Sequence, residues 1–332
     1  MEQLADSLNF QYDILNKVSR SFALTIPLLP EQLKISVANG YLLCRITDTI
    51  EDDSNLSLEQ KAYFHKQFIR ILNDPLYDQI QNFVQELHPL LSEQTSIHEK
   101  LLILNLHKIL TITESLNPDT KYYLKTCVII MNNGMLEFEK IININGFNTV
   151  LELEKYCYIV AGVVGEMLTE LFCKYLNLSI EYKNQLMPLA RSFGQALQIT
   201  NILKDRWSDY SKKICYLPKE FFGETLEPLT INNLFNHNIK KIININLTHL
   251  NNALNYILLI PKQETGIRKF CLWAIGMSIK ILQNIKNNPG FTNVNQIKIS
   301  KFKLKQIIMV TNFVNKSNYL LKFWFKIVTA GL

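Results

Sequence analysis

Glycine and proline are scarce in this chain, at 11 and 10 of its 332 residues. Apolar residues recur at three- and four-residue intervals and rarely alternate, which predicts helices and leaves little room for strands. Expected helix breaks lie near residues 27–30, 74–75, 117–118, 218–228 and 288–290. Because no linker rich in Pro, Gly or Ser divides the chain, we predict one all-α domain over residues 1–332.

Glycine-rich phosphate loops and cysteine metal pairs are also missing. The chain has no GxxxxGK[ST] and no GxGxxG pattern, which argues against nucleotide-binding loops of these types. Its six cysteines are far apart in apolar surroundings, without CxxC spacing, and its six histidines show no ligand spacing. Neither a zinc site nor a disulfide framework is expected. Gly162 and Gly165 lie in an apolar helical run, where we expect them to allow close helix contact.

Signals for secretion or membrane insertion are absent too. The N-terminal segment has no basic region followed by an apolar core, and no uninterrupted apolar run reaches about 18 residues. We therefore expect a cytoplasmic protein, at most peripheral on the inner membrane surface. The net charge of +6 is diffuse, with a mild lysine concentration near residues 298–305. It indicates a solvated surface or contact with anionic lipid or substrate. No basic stripe interleaved with exposed aromatic residues is recognised, so nucleic acid is not expected.

An apolar helix pattern over residues 33–53 ends in four acids: Asp48, Glu51, Asp52 and Asp53. Asp48 and Asp52 share one helix face with Tyr41 and Arg45, by steps of three and four. Like charges at this spacing repel each other, and the C-terminal end of a helix disfavours anions. An arrangement that is unfavourable on both counts predicts a bound cation.

A second segment, residues 194–210, repeats this arrangement. One helix face carries an amide-and-acid stripe: Gln198, Asn201, Asp205 and Asp209. Either pair of aspartates alone is common on a solvated helix face, but the two together favour a shared function. Oxygen-only ligands suit Mg²⁺, which also bridges to substrate phosphates, so two facing clusters would hold one or two diphosphates. Without a glycine loop, basic and hydroxyl groups remain as phosphate ligands: Ser19, Arg20, Ser21, Arg45 and Lys204.

Four segments, in this order, resemble the signatures of the squalene/phytoene synthase family. They are SRSFALTIPLLP at 19–30, DTIEDD at 48–53, YCYIVAGVVGEML at 156–168 and QITNILKDRWSD at 198–209. The matches are collinear and cover roughly residues 15–220. The resemblance implies an all-α isoprenoid synthase fold, with helices around a deep central cavity and two facing aspartate-rich motifs.

The resemblance also implies roles for single residues. Mg²⁺ and diphosphate would be bound by the acidic motifs: Asp48, Glu51, Asp52, Asn201, Asp205 and Asp209. The diphosphate end would be lined by Ser19, Arg20, Ser21, Tyr41 and Arg45, with Gln198 and Lys204 beside the second motif. Tyr156 matches the family's catalytic tyrosine; the alternative is a packed aromatic residue with a satisfied hydroxyl. Phe22 would line the apolar substrate pocket or belong to the ordinary core.

The C-terminal third resembles squalene synthases more than phytoene synthases, at residues 268–282 and 296–303. In squalene synthases the latter region includes basic residues that contact NADPH, and Lys298 fits that pattern. Ser300 stands where the family usually has a second basic residue, and Lys204 replaces its arginine before the second motif. The basic flap that follows is reduced to Lys212 and Lys213. These departures weaken the expectation of a reductive step more than that of condensation.

Three functions remain open at this point. The first is a squalene synthase that joins two farnesyl diphosphates and reduces the product with NADPH. The second is a phytoene or dehydrosqualene synthase, which needs no reductant. The third is an inactive relative that serves as an assembly or scaffold protein, although the chain retains all four aspartates of the two motifs.

Overall fold

The computed structural model describes residues 2–19, 21–222 and 233–332, and it is built from α-helices. Within these ranges the β-pairing is limited to an isolated antiparallel bridge between Asn143 and Cys215. The all-α prediction is therefore confirmed. The sixteen α-helices of the described residues are α1 Glu2–Val18, α2 Phe22–Thr25, α3 Glu31–Asp52, α4 Leu58–Asn73, α5 Tyr77–Leu87, α6 Ile97–Leu104, α7 Leu106–Ser115, α8 Pro118–Phe138, α9 Val150–Cys157, α10 Val163–Leu176, α11 Ile180–Ser211, α12 Lys219–Phe222, α13 Asn233–Leu259, α14 Thr265–Asn287, α15 Lys301–Val314 and α16 Asn318–Thr329.

The helices form two compact units. The first comprises residues 1–140 with 170–177, and the second comprises residues 141–169 with 178–332. The single-domain expectation stays a prediction. The predicted breaks at 27–30, 74–75, 117–118 and 288–290 each separate two helices, whereas the break at 218–228 extends outside the described residues.

Side chains that cap helix N-termini explain where several helices begin. Ser57 and Gln60 form a capping box at α4, as Ser96 and Glu99 do at α6. At α8 the Asn117 side chain accepts from the backbone N–H of Thr120, and Pro118 occupies the first helical position. Each cap satisfies backbone donors that have no partner within the helix.

The helix α3 is central to the first unit and packs against α1, α4, α6, α7 and α8. Buried hydrogen bonds fix its position along its length. Asn39 donates to the Ile109 carbonyl oxygen at 3.0 Å and accepts from the Thr113 hydroxyl at 2.7 Å. Asn132, fully buried on α8, donates to the Thr47 hydroxyl at 2.9 Å. Because Thr47 precedes Asp48, this contact holds the acidic end of α3.

The second unit is organised around the 32-residue helix α11, which packs against α9, α13 and α14. A π-helical turn, Tyr158–Gly162, connects α9 to α10 and also contacts α11. A Cβ built on Gly165 would lie 2.2 Å from the Ala190 carbonyl oxygen, and one on Gly194 would lie 2.1 Å from that of Ala161. The close helix contact predicted for Gly165 is therefore confirmed.

The helices α15 and α16 expose aromatic residues between lysines, which the sequence reading did not anticipate. Phe302, Phe313, Tyr319 and Phe323 are each more than half exposed. The expectation that basic residues are nowhere interleaved with exposed aromatic residues is therefore wrong. The stripe appears only when the sequence is folded onto helices, because its members are three or four residues apart.

One helical stretch, residues 150–176, is long and apolar enough to cross a membrane by length and composition alone. Half of its most apolar window is buried inside the protein. That burial is typical of a core helix.

Candidate active site

The first acidic site is the C-terminal end of α3. Asp48 and Glu51 are half-buried there and Asp52 is exposed. Burial raises the pKa of Asp48 to about 7; Arg45 opposes this rise, while the carboxylates of Asp52 and Glu99 add to it. Burial likewise raises the pKa of Glu51, with further contributions from Asp52 and Asp48. The helix end therefore holds more negative charge than the protein's own cations neutralise.

Asp53 does not share this face. Its carboxylate is buried and accepts from the backbone N–H of Ser92 at 2.8 Å and that of Asn55 at 2.9 Å. The Thr95 hydroxyl donates to it at 2.5 Å. Although burial alone would raise the pKa of Asp53, these hydrogen bonds hold it below its usual range. Asp53 fixes the loop after α3 and is not available to a metal.

Arg45 lies beside the acids, as its helical spacing predicts. Its Nη1 is 3.8 Å from Asp48 Oδ2 and 3.8 Å from Glu99 Oε1, and its Nη2 donates to the Tyr41 hydroxyl at 2.9 Å. Burial would lower the pKa of Arg45, but Asp48, Tyr41 and Glu99 together raise it above its ordinary value. The Tyr41 ring contacts Phe22, with ring centroids 4.8 Å apart. Arg45 is thus a permanent cation held at the acidic helix end.

Three charged residues near this end were not foreseen from the sequence. Glu99, from the α6 capping box, reaches Arg45, and Lys61 on α4 is 3.1 Å from Glu139. The Lys61 ammonium also donates to the Glu51 carbonyl oxygen. The capping-box pattern in the sequence shows where α6 begins, but only the fold shows that Glu99 lies close to α3. Burial raises the pKa of Glu139 as well, although Lys61 opposes the rise.

The predicted N-terminal phosphate ligands are only partly described. Ser19 is buried, and its hydroxyl accepts at 3.0 Å from the backbone N–H of Phe22, the first residue of α2. Ser21 is exposed just before that helix. Arg20 lies outside the described residues. The phosphate roles of these residues stay predictions.

The second acidic site is the C-terminal part of α11. Asn201 is exposed, and Gln198, Asp205 and Asp209 are half-buried. The Lys204 ammonium donates to Asn201 Oδ1 at 2.9 Å and lies 3.1 Å from Asp205 Oδ2. Lys204 therefore lies across two of the oxygens predicted to bind the cation. A bound ion would have to displace it or share these oxygens with it.

Arg206 lies behind this acidic face and is buried. Its Nη1 donates to the Leu203 carbonyl oxygen at 3.2 Å, its Nη2 donates to that of Pro289, and its guanidinium lies 3.8 Å from the Phe291 ring centroid. Burial lowers the pKa of Arg206 to about 10. These contacts hold the loop after α14 against the acidic end of α11. Sequence reasoning overlooked this residue because its burial depends on packing against the loop after α14, which is distant in the chain.

Tyr156 lies at the end of α9 with a side chain that is only 3% exposed. Its ring stacks on Tyr216 at a centroid distance of 4.8 Å and contacts Phe147 at 5.6 Å. Tyr216 follows α11 in the chain, so this aromatic cluster joins α9 to the segment after the second acidic motif. The buried cluster is compatible with the packed-aromatic alternative and equally with a tyrosine in a water-free pocket.

Lys298 is exposed in the loop before α15. Ser300, which stands where a second basic residue was sought, caps α15 by accepting from the Lys303 backbone N–H at 3.2 Å. Ser300 therefore has a structural role as the N-cap of α15. The cofactor role of Lys298 stays a prediction.

The donor set at each acidic end suits Mg²⁺. In the part of the chain that the structure describes, no three His, Cys, Asp or Glu side chains converge as a ready metal site. Mg²⁺ usually retains water and is bound by one or two carboxylates together with substrate phosphates. Two aspartates on each helix end, with the pKa of Asp48 already raised, fit that incomplete kind of site.

Solved structures show which fold this chain has. Over 98% of this chain and 92% of the other, the fold matches the complex of TcSQS with a ligand, with a TM-score of 0.78 and 22% identity. A dehydrosqualene synthase in complex with ligand matches over 93% of this chain and 96% of the other, with a TM-score of 0.63 and 20% identity. The fold is the all-α isoprenoid synthase fold.

Sequence comparison then gives the family. The squalene/phytoene synthase profile matches residues 15–303, and the chain belongs to that family. A squalene synthase of Candida albicans is 28% identical over 291 residues, which are 84% of this chain and 62% of the relative. The chain spans about three fifths of the length of the curated relatives it matches first.

Proposed function

We propose that the protein joins two isoprenoid diphosphates head to head, with farnesyl diphosphate as the favoured substrate. The product of the first half-reaction is a cyclopropylcarbinyl diphosphate, and NADPH reduces it to squalene. The observation that carries the proposal is the pair of acidic helix ends, each with two aspartates four residues apart and a basic side chain beside them. Membership of the squalene/phytoene synthase family supports this reaction type.

Mg²⁺, when bound by the aspartates, would neutralise the leaving diphosphate as a Lewis acid. Arg45 would donate to the phosphate oxygens from its fixed position beside Asp48. Lys204 would do the same at the second motif, once its contacts with Asn201 and Asp205 are exchanged for phosphate. The Arg45 and Lys204 side chains would favour departure of the diphosphate, because they stabilise the negative charge that grows on it as the allylic C–O bond breaks.

The allylic cation that remains must be protected from water until the second substrate's double bond attacks it. The buried rings of Phe147 and Tyr156 and the half-buried ring of Tyr216 would offer apolar surface and negative ring faces for this purpose. One proton is lost as the cyclopropane ring closes, and we propose that a group at or beside Tyr156 accepts it. A second loss of diphosphate and a rearrangement follow before hydride transfer.

A second candidate is a phytoene or dehydrosqualene synthase that needs no reductant. The observation that favours it is that Ser300, at the position of a second basic residue, caps α15. Lys298 is then the one basic residue of this segment predicted to contact NADPH, which weakens the case for a reductant. The structural similarity to a dehydrosqualene synthase is compatible with it. An inactive scaffold role is disfavoured by the four retained aspartates.

Mass spectrometry of the products decides between these functions. The protein should be incubated with farnesyl or geranylgeranyl diphosphate, each with and without NADPH. Squalene formed from farnesyl diphosphate only with NADPH supports the proposal. A product that is the same with and without NADPH selects the second candidate, and the absence of any condensation product from either substrate selects the scaffold role.

We propose a cytoplasmic location with peripheral membrane contact, because the substrates and the hydrocarbon product are amphipathic or apolar. The single-domain description of residues 1–332 belongs to the same proposal.

A further inference from the structure

Six large apolar side chains that are 56–77% exposed lie close together in the chain on α15 and α16. They are Phe302, Met309, Phe313, Tyr319, Phe323 and Ile327. Elsewhere in the described ranges, side chains of this size and exposure are scattered between residues 58 and 151. Singly exposed apolar residues are ordinary, whereas a concentrated set marks a contact surface.

Each helix arranges its exposed residues along one face. On α15, Phe302, Met309 and Phe313 lie along a single stripe, and the buried Thr311 and Val314 lie on the other side. On α16, Tyr319, Phe323 and Ile327 recur every four residues, opposite the buried Leu321, Trp324 and Phe325. Both helices therefore have a packed face and a free apolar stripe.

Lysines border both stripes. Lys305 lies beside the α15 stripe, and Lys316 follows the end of α15. Lys322 and Lys326 lie along one edge of the α16 stripe, and all four lysines are exposed. The Lys303 ammonium lies 6.0 Å from the Phe302 ring centroid. Aromatic and aliphatic residues framed by lysines are typical of helices that lie in the membrane interface.

The charge of the chain is strongly divided along its length. Residues 265–332 contain eleven Lys and Arg and no Asp or Glu, whereas residues 1–264 contain 24 basic and 29 acidic residues. The excess positive charge of the chain therefore belongs to the segment that carries the two apolar stripes. A surface of this composition is attracted to anionic lipid headgroups.

We propose that the exposed faces of α15 and α16 dock on an anionic lipid bilayer, which rests on the peripheral membrane contact proposed above and names the surface that makes it. The aromatic and aliphatic side chains enter the boundary between headgroups and acyl chains, and the lysines contact lipid phosphates. A second copy of the chain fits less well, because a symmetric contact would bring two lysine-rich faces together. Nucleic acid also fits less well, since Met309 and Ile327 offer no ring for base stacking.

The first test is flotation of the full chain with vesicles of phosphatidylcholine, alone and mixed with phosphatidylglycerol. The proposal expects binding to the mixed vesicles and at least about tenfold weaker binding to phosphatidylcholine alone. Phe313→Ser combined with Tyr319→Ser and Phe323→Ser should weaken binding to mixed vesicles by at least about tenfold. The matched control is Tyr77→Ser with Tyr122→Ser, two equally exposed aromatic residues of the first unit, which should bind as the unmodified protein does.

The lysines are tested separately from the aromatic residues. Lys322→Gln with Lys326→Gln should weaken binding to the mixed vesicles about tenfold and reduce its dependence on salt. Direct insertion is measured with Phe313→Trp, whose additional fluorescence should shift to shorter wavelength on vesicle binding. Tyr122→Trp should show no shift. The two tryptophan variants retain aromatic side chains, so they test the surface without removing it.

Three results would overturn the proposal. The first is equal binding of all variants to both kinds of vesicle. The second is a dimer in solution that only the triple serine variant dissociates, which assigns the surface to a second copy. The third is tight RNA binding that the same variants abolish, together with no vesicle binding. Vesicle binding requires no turnover, so this test and the product analysis fail independently of each other.

Discussion

The two acidic helix ends have similar sequences but different surroundings. At the end of α3, Asp48 is 29% exposed and lies among Arg45, Asp52 and Glu99, so burial and like charge raise its pKa. At the end of α11, Asp205 is 41% exposed, and the Lys204 ammonium lies 3.1 Å from its carboxylate. The first end is therefore a half-buried excess of negative charge, and the second is a more open pair of aspartates that a lysine already neutralises in part.

The helices behind these ends are also supported differently. In the first unit, the buried His65 Nδ1 lies 2.5 Å from Asn132 Oδ1, and Asn132 in turn holds Thr47. In the second unit, Thr200 lies 2.6 Å from the Ser278 hydroxyl and accepts from Asn246 at 2.9 Å. The first network includes a titratable imidazole, whereas the second consists of hydroxyl and amide groups only.

The largest expected effect is on turnover. Asp48→Asn and Asp205→Asn should each reduce kcat/KM by at least about a thousandfold, because each removes a charged oxygen ligand from the cation. The two variants should differ in stability. Without Mg²⁺, Asp48→Asn should raise the melting temperature more than Asp205→Asn does, because Asp48 is the less exposed of the two and lies in a surplus of negative charge.

The control for both variants is Asp78→Asn, which changes an exposed acid in the first turn of α5 and should leave turnover unchanged. Full activity in either active-site variant would contradict the metal-binding role. Equal changes in melting temperature would contradict the comparison between the two ends.

The next largest effect is expected at the aromatic cluster of Phe147, Tyr156 and Tyr216, whose role differs from that of the two acidic ends. Tyr156→Phe should lower kcat by about a hundredfold with little change in KM, because its hydroxyl acts only in the transition state. Tyr216→Phe keeps the stacked ring and is the matched control, with kcat expected near that of the unmodified protein. If Tyr156→Phe also leaves kcat unchanged, Tyr156 is a packing residue.

The sequence predicted the helix class, four of the helix boundaries and the faces on which the acids lie. Helical spacing suffices for these because it is set by the backbone. It could not reveal Glu99, Lys61 or Arg206, since their positions near the acidic ends depend on packing between helices that are distant in the chain. It also missed the stripes of α15 and α16, whose exposure depends on which face each helix buries.

A smaller effect is expected in the pH dependence of stability. Burial lowers the pKa of His65 to about 4, so the folded protein holds the neutral ring and the unfolded chain binds the proton first. Stability is fully present above the ordinary histidine pKa of about 6.5 and is lost as pH falls towards 4, by up to about 3 kcal/mol.

Urea unfolding at pH 7 and pH 5 measures this loss. His65→Gln should be less stable than the unmodified protein at pH 7 but lose less stability on acidification. Ser278→Ala, in the network of the second unit, should lower stability by a similar amount at both pH values. If His65→Gln loses as much on acidification as the unmodified protein, another group is responsible.

The smallest effect concerns Lys298. Lys298→Ala should reduce squalene formation several-fold while sparing consumption of the first farnesyl diphosphate, because condensation precedes hydride transfer. Lys305→Ala, which alters another exposed lysine of the same region, is the control. Loss of both squalene formation and substrate consumption would place Lys298 in the condensation step.

The dependence of condensation on Mg²⁺ tests the central proposal most directly. Purified protein is incubated with farnesyl diphosphate and NADPH at rising Mg²⁺ concentration, and the thirty-carbon product and released diphosphate are counted together. We expect no product in EDTA, full recovery with Mg²⁺, two diphosphates released for each product molecule, and no response to zinc-specific chelators. Turnover that persists in EDTA, or stoichiometric zinc in active protein, would contradict this proposal.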